Sequence, residues 1–413
     1  MPFFGHRVVR AAFVMAVFGW GVGLYGPPVF LHAVIERTGW PLPLVSSAVT
    51  VHYLIGALVV AQLARLHGRF GVGPVAVAGA LLASVGMLGW AAAREPWQLF
   101  VAAGASGAGW VGMGAVAINA VIAPWFVSTR PKALGQAYNG ASIGGVVFTP
   151  LWVALIAQLG FVAATLAVGL TMLGVMGVLS RQVFSKTPQG LGQFADGQAL
   201  ASPPPAPGHR PAQGLPGVLL WRDRHFRSLA AGMALGLFAQ IGLIAHLFAL
   251  LVPVLGAQQA GWAMGMATAC AIAGRSVVAR LMRPGADRRL VAVTAYGVQI
   301  IGTLMLMVAD GAQTGLILLA VALFGSGIGN ATSLPPLIAQ TEFAGQDVAR
   351  VVGLIVAIAQ GTYAFAPALF GLLLASSGGA DVQVGSGSAG FFAAVAGVQA
   401  AAAACFWSAR QRP

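Results

Sequence analysis

The sequence predicts an all-α integral membrane protein with twelve transmembrane helices in two six-helix bundles. Of the 413 residues 58% are hydrophobic and only 8% are charged, whereas a soluble domain carries about 25% charged residues. The 57 glycines are about twice the usual share, which suits helices that pack closely without water to drive them together. Apolar runs of about 20 residues, the length that crosses a bilayer, recur along the whole chain.

Hydropathy places each predicted helix to within a few residues. The first six lie at about 8 to 34, 42 to 66, 72 to 93, 97 to 123, 132 to 157 and 160 to 182, and the second six at about 223 to 253, 258 to 281, 289 to 309, 313 to 340, 348 to 375 and 387 to 408. The first run stays apolar after Tyr25, so it is interpreted as a span and not as a cleaved signal peptide. The stretch 184–217 is rich in proline, glycine and polar residues and is predicted to be a linker. The domains are therefore residues 1–183, the linker 184–217 and residues 218–413.

Lysine and arginine counts predict the orientation. Of the 22 such residues, Arg37 and Arg94 fall on one side, Arg275 falls inside a span, and the remaining 19 fall on the other side. Because basic loops stay in the cytoplasm, both termini and the linker are predicted to be cytoplasmic, in a multi-pass protein of the inner (cytoplasmic) membrane. The net charge of +13 does not indicate nucleic acid as a partner, since the basic residues are scattered singly between apolar runs.

The two halves of the chain carry an internal repeat. "FTP" at 148 to 150 returns as "FAP" at 365 to 367, in the fifth and eleventh predicted helices. Equivalent helices six apart indicate parallel duplication of a six-helix unit. The strongest match joins predicted helices 4 and 10, where Gly114, Asn119, Ala120 and Pro124 correspond to Gly325, Asn330, Ala331 and Pro335.

Twelve helices, two parallel halves and a central cytoplasmic loop resemble the major facilitator superfamily. The superfamily's glycine-basic signature between helices 2 and 3 is partly present in "ARLHGRFGVGP", where Arg69 and Gly71 fit but His67 or Gly68 replaces the acidic residue. Its counterpart between helices 8 and 9, "ARLMRPGADRRL", keeps Asp287, Arg288 and Arg289. The resemblance implies a gating role for these cytoplasmic residues.

Within that superfamily, three stretches resemble the monocarboxylate transporter and oxalate:formate antiporter branch: "WFVSTRPKALGQAYNGASIGG" (125 to 145), "GWGVGLYGP" (19 to 27) and the pair Gly274 and Arg275. The resemblance implies that Arg275 binds the carboxylate of the substrate. Ala271 stands where the branch often has a polar or acidic residue, and Gln360 stands where some antiporters have a lysine. With one positive charge instead of two, a mono-anion fits better than a dianion.

Arg275 is also unusual by residue pattern alone. A guanidinium costs roughly 2.5 to 3.5 kcal/mol at the centre of a membrane helix. On a helix Arg275 shares a face with Thr268, Ala271 and Ala279, a stripe of small residues that can line a cavity. The alternative is an arginine that extends to the cytoplasmic surface or donates to neighbouring carbonyl groups.

Further polar residues inside predicted helices complete the candidate substrate site. Tyr25, before "GPP", and Tyr363, before "AFAP", lie near expected helix breaks where free carbonyl groups can line a cavity. Packing is the alternative for the tyrosines, and hydrogen bonding between helices is the alternative for Asn119 and Asn330. The weaker candidates are Gln240 and Gln360.

The sequence restricts how protons can be coupled. All nine acidic residues fall in or next to loops, so no carboxylate is predicted at mid-membrane. Titratable imidazoles occur in predicted helices 2 and 7, at His52 and His246, and a carboxyl group of the substrate can also carry the proton. The alternative for each histidine is a neutral ring hydrogen-bonded inside the bundle.

The resemblance implies a secondary transporter that moves a small organic anion, as a symporter or an antiporter, with protons or a counter-anion as further partners. We expect no cofactor, no metal and no enzymatic activity, because the sequence has no nucleotide-binding motif, no nucleophile paired with a general base and no metal-ligand cluster. We also expect a monomer. Two other functions stay open. One is an exporter of amphiphilic drugs or metabolites, and the other is a transporter-like receptor that moves nothing.

Overall fold

The computed structural model describes residues 3–197, 217–282, 286–376 and 383–410, so part of the predicted linker, residues 198–216, lies outside the described residues. Within those ranges the regular structure is entirely helical, and twelve helices are long and apolar enough to cross a membrane. The predicted fold class is confirmed. These spans are numbered here as helices 1 to 12.

The helix bounds lie within a few residues of the predicted ones. Helices 1 to 6 are Gly5–Thr38, Leu42–Phe70, Val72–Ala92, Pro96–Ile122, Arg130–Leu159 and Phe161–Phe184. Helices 7 to 12 are Arg224–Leu255, Ala257–Leu281, Arg288–Val308, Thr314–Glu342, Gly345–Ser376 and Ala389–Ser408. A short helix, Gly217–Arg222, precedes helix 7.

Three helices are interrupted. Helix 1 consists of Gly5–Gly23 and Gly26–Thr38, and helix 11 of Gly345–Tyr363 and Ala366–Ser376. A proline follows each of these two breaks, and a proline lacks the N–H that would continue the backbone ladder. Helix 4 breaks between Trp110 and Ala115, where Gly114 is fully extended at ψ −163°. This third break was not predicted.

Side chains and glycine define where several helices begin. Asp223 accepts a hydrogen bond from the amide of Phe226 at 2.7 Å at the start of helix 7. Asp287 does the same for Leu290 at 3.0 Å at the start of helix 9. Both carboxylates bind amides that have no partner within the helix. Gly71 precedes helix 3 at φ +83°, a backbone conformation that residues with a Cβ rarely adopt.

The chain forms two compact units, Met1–Trp40 with Val51–Ala206, and Pro41–Thr50 with Pro207–Pro413. In the first unit, helix 5 packs against helix 1 through the small residues at Gly140 and Gly144. A Cβ at Gly140 would lie 2.2 Å from the carbonyl oxygen of Phe13, and one at Gly144 would lie 2.5 Å from that of Val17. Such contacts let two backbones approach closely.

The beginning of the linker folds back onto the first unit through Asp196. Its carboxylate accepts hydrogen bonds from the amides of Val127 at 3.2 Å, Ser128 at 2.9 Å and Thr129 at 3.2 Å. The Thr129 hydroxyl adds a fourth bond at 2.6 Å. Asp196 thus satisfies free amides just before helix 5 and lies at φ +58°, a conformation that Asp tolerates better than most residues.

We expect Asp196→Ala to release this contact. Desolvation opposes ionisation of Asp196, but the hydrogen bonds from Thr129 and Ser128 together hold its pKa well below the ordinary value. The contribution to stability is therefore complete above about pH 4 and is lost as the pH falls toward the lowered pKa. Removing a capping side chain costs about 1 kcal/mol, so hydrogen-exchange protection of the Ser128 and Thr129 amides should fall about fivefold. Asp196→Asn, which keeps one acceptor oxygen, should lose less, and unchanged protection in Asp196→Ala would contradict the capping role.

Candidate functional site

The break in helix 1 leaves backbone carbonyl groups without their helical donors. Pro27 and Pro28 lack the N–H groups that would bond the carbonyls of Gly23 and Leu24, four residues earlier. Tyr25 lies at the break itself and is buried. The structure therefore places a predicted site residue beside freed backbone polar groups.

His52 of helix 2 supplies one of the missing donors. Its Nε2 lies 2.9 Å from the Gly23 carbonyl oxygen, and since a carbonyl only accepts, this nitrogen carries a hydrogen. Its Nδ1 lies 2.8 Å from Oγ of Ser106 on helix 4. Trp90 donates to the same hydroxyl at 3.1 Å, and the ring of Trp110 is stacked 6.0 Å from the imidazole. His52 is thus a buried group that ties helices 1, 2, 3 and 4 together.

The break in helix 4 carries a second polar cluster of the first unit. The Asn119 amide donates to the Ala115 carbonyl at 2.9 Å and to the Tyr138 hydroxyl at 2.6 Å. Tyr138, on helix 5, in turn donates to the Ala115 carbonyl at 3.2 Å, and its ring packs edge-on against Trp20. Asn119 and Tyr138 are both half-exposed. Exposed polar groups within a span avoid lipid, so this cluster lies on a face suited to an aqueous path.

Arg275 lies on helix 8 at the point where that helix crosses helix 10. A Cβ built at Gly329 of helix 10 would meet Cγ, Cδ and Nε of Arg275, each at 2.6 Å. The aliphatic part of the side chain therefore lies directly on the Gly329 backbone, and the arginine is half-buried. Its stem is packed against the small residue of a neighbouring helix.

Asn330, next to Gly329, faces helices 9 and 12. It lines a narrow crevice together with Tyr296, Gln299 and Phe406. Its amide donates to the Ser326 carbonyl at 3.4 Å. Its Oδ1 and the Tyr296 hydroxyl are buried without a hydrogen-bond partner among the described residues. Although Asn119 and Asn330 are equivalent in the repeat, only Asn119 bonds a side chain of a neighbouring helix.

The break in helix 11 brings several candidates of the second unit together. Gln360 and Tyr363 are joined by a side-chain hydrogen bond. His246 of helix 7 has Nε2 3.0 Å from the Pro367 carbonyl oxygen, while its Nδ1 has no partner among the residues described. The amide of Ala368 donates to the hydroxyl of Thr50 at 3.0 Å, a residue at the start of helix 2 that is grouped with this unit.

Gln240 of helix 7 stands apart from these clusters. It is 4% exposed, and its Oε1 is buried without a hydrogen-bond partner in the described part of the chain. A buried amide oxygen without a donor is costly. Gln240 therefore keeps its place among the candidate polar residues, but no other candidate is shown to contact it.

The glycine-basic signature before helix 3 and its counterpart before helix 9 differ in structure. In the first unit, Arg69 is exposed and lies over the Phe70 ring at 5.2 Å, and Gly71 provides the turn into helix 3. In the second unit, Asp287 forms an ion pair with Arg410, and Arg288 donates to the Leu337 carbonyl. The second signature thus makes inter-helix contacts through its side chains.

Arg289 of the second signature forms an ion pair with Glu342 that was not predicted. Arg289, 2% exposed, binds Glu342 at the end of helix 10 through Nε–Oε1 at 2.5 Å and a second nitrogen–oxygen contact at 2.7 Å. Arg289 also donates to the Ser228 hydroxyl at 3.0 Å and to the His225 carbonyl at 3.1 Å. It thereby joins the starts of helices 7 and 9 to the end of helix 10.

The other functional residues missed by sequence reasoning are Ser106 and Tyr138. Each stood in a stretch already notable in the sequence, Ser106 in the small-residue run "AAGASGAG" and Tyr138 in "GQAYNGAS". A small polar residue within an apolar run is the signal that identifies Ser106. The signal for Tyr138 is that small or polar residues lie three and four positions away from it on helix 5.

Comparisons with known proteins agree with this architecture. A sequence model of the Major Facilitator Superfamily matches residues 11–367. Similar solved structures include a bacterial homologue of the human lysosomal transporter Spinster in an inward-facing and unoccupied conformation, with a TM-score of 0.68, 14% identity and 100% of each chain covered. They also include the nucleoside transporter NupG, with a TM-score of 0.71, 12% identity and 99% of each chain covered. At such identities the likeness shows the fold alone, and a comparison with curated proteins found no match.

Proposed function

This chain belongs to the major facilitator superfamily, and we propose that it is a secondary transporter of a small organic anion, with monocarboxylates as the substrate class. The observation that carries the proposal is Arg275, the single basic residue well inside a predicted span, whose stem is packed against Gly329. A guanidinium in this place can form two parallel hydrogen bonds to one carboxylate. The family is a transporter family, and nothing in the site supports catalysis.

In this proposal transport follows an alternating-access cycle, and a gradient of protons, substrate or counter-substrate drives that cycle. The second half supplies the charge through Arg275. Neutral polar groups complete the site, from Tyr25, Asn119 and Gln240 to Asn330, Gln360 and Tyr363. One cationic group and otherwise uncharged partners favour a mono-anion over a dianion, since a second carboxylate would be desolvated without a counter-charge.

Counterflow in proteoliposomes tests the substrate class. Purified protein is reconstituted, loaded with one unlabelled compound, and assayed for entry of the labelled compound. The panel contains monocarboxylates, dicarboxylates, amphiphilic cations and nucleosides, because the fold is shared with a nucleoside transporter. We expect exchange only with monocarboxylates. Exchange of cations would favour the exporter, and binding of any compound without counterflow would favour the receptor.

Of the two histidines, we propose His52 as the group that takes up a coupling proton. When the imidazole is neutral, Nδ1 can accept from the Ser106 hydroxyl; when it is protonated, Nδ1 can donate to that oxygen while the hydroxyl turns to the Ala103 carbonyl, 3.1 Å away. Both states then satisfy their hydrogen bonds in a buried place. Protonated His246 would instead carry a buried N–H without an acceptor among the described residues.

We expect His52→Gln to abolish the stimulation of uptake by an inward proton gradient while exchange at equal pH continues. A glutamine amide can still donate to the Gly23 carbonyl, but it cannot take up a proton. The measurement is uptake into proteoliposomes with and without the gradient, and the control is His246→Gln, which should keep the stimulation. If stimulation persists in His52→Gln, the proton enters by another route, such as the carboxyl group of the substrate.

A further inference from the structure

Helices 8 and 10 cross at a contact that admits no side chain on either backbone. A Cβ at Gly274 of helix 8 would lie 2.0 Å from the Ser326 carbonyl oxygen, and one at Gly325 of helix 10 would lie 2.4 Å from that of Ala267. Neither obstacle is a flexible side chain, so both distances are incompatible with any residue other than glycine. The crossing therefore holds the two backbones in contact directly beside Arg275.

Gly329 is a third glycine at this crossing, and a Cβ added there would meet a side chain and not a backbone atom. The three atoms nearest to a Cβ at Gly329 all belong to Arg275. The space that a side chain would fill at position 329 is thus occupied by the stem of the arginine. Because the obstacle can rotate away, an alanine at 329 is compatible with the helix crossing but not with the present direction of the Arg275 side chain.

The internal repeat indicates that the helix fold itself does not require glycine at position 329. Gly325 and Asn330 correspond to Gly114 and Asn119 in helix 4, so Gly329 corresponds to Ile118. Ile118 is a fully buried side chain in the first unit. The equivalent helix of the same protein therefore accepts a large residue at this position, and the requirement for glycine arises in the half that carries Arg275.

We propose that Gly329 is a positioning residue for Arg275: its missing side chain forms the groove that directs the guanidinium toward the substrate carboxylate. This inference rests on the proposed function of Arg275. Two parallel hydrogen bonds to a carboxylate demand a fixed orientation of the guanidinium plane, and a misplacement of about 1 Å can cost up to about a hundredfold in a positioned reaction. A methyl group at 329 shifts the stem at three consecutive atoms and thereby removes that orientation.

The test is a double-mutant cycle on the reconstituted protein. Wild type, Gly329→Ala, Arg275→Ala and the double variant are compared by the apparent KM and Vmax of monocarboxylate counterflow and by the midpoint of thermal unfolding without substrate. The matched control is Gly297→Ala on helix 9, because a Cβ there would have nothing within 4 Å. We expect Gly329→Ala to raise the apparent KM at least about tenfold with little change in Vmax, and Gly297→Ala to leave KM unchanged.

In the Arg275→Ala background the three atoms nearest to the added methyl group are absent. Gly329→Ala should there change KM by less than about twofold, the limit for additive effects, and should not lower the unfolding midpoint. A wild-type KM in Gly329→Ala would overturn the inference. Equal losses in both backgrounds, with a lowered midpoint in each, would make Gly329 a residue of the fold alone. A wild-type KM in Arg275→Ala would instead refute the proposed function itself.

Discussion

Arg275→Ala is expected to weaken monocarboxylate binding by about 30-fold or more. Truncating one partner of a buried, hydrogen-bonded charge pair costs 2 kcal/mol or more, and each 1.4 kcal/mol is about a tenfold change in affinity. Arg275→Lys should recover little of this loss. Lysine keeps the charge but presents a compact ammonium without the planar pair of donors, and it lacks the Nε group that lies against Gly329.

The measurement is counterflow affinity for the best monocarboxylate of the panel, together with the thermal shift that this compound produces. Arg280→Ala is the matched control, because this arginine is exposed near the end of the same helix and should leave the affinity unchanged. A carboxylate affinity that survives Arg275→Ala would show that this arginine has a different role, such as hydrogen bonding to neighbouring carbonyl groups.

The second large effect concerns stability. Replacing Glu342 alone by leucine should destabilise the second unit by about 3 to 5 kcal/mol, because the buried Arg289 guanidinium loses its partner. Replacing Arg289 alone by methionine should cost less, since Glu342 is partly exposed and keeps His225 at 3.4 Å. The double variant Arg289→Met with Glu342→Leu should recover much of the loss, since a hydrophobic pair of similar volume replaces the buried ion pair. Thermal unfolding in detergent measures all three.

Arg410→Ala is the control for this experiment. Its partner Asp287 belongs to a more exposed ion pair, and exposed pairs contribute about 0 to 1 kcal/mol. We expect its unfolding midpoint to stay close to that of the wild type. If the double variant were as unstable as the single ones, the contacts of Arg289 with Ser228 and the His225 carbonyl, and not the charge pair, would carry the stability.

The sequence alone determined the twelve helices and two of the three helix breaks. Hydropathy reports how each segment partitions between water and lipid, a local property that needs no partner. The breaks before Pro27 and Pro367 are local as well, because a missing N–H frees a carbonyl four residues earlier whatever surrounds it. The break at Gly114 has no nearby proline, so glycine composition alone did not distinguish it from close helix packing.

The tertiary structure decided which of the candidate residues meet. His52 and Ser106 are 54 residues apart in the sequence, and Arg289 and Glu342 are 53 residues apart. Neither contact can therefore be inferred from the spacing of neighbouring residues. The sequence could single out Arg275 because charge inside a span is costly by itself. It could not identify Gly329, one glycine among 57. The role of a glycine depends on which neighbouring group occupies the space that a side chain would fill. That group is known only once helices 8 and 10 are packed together.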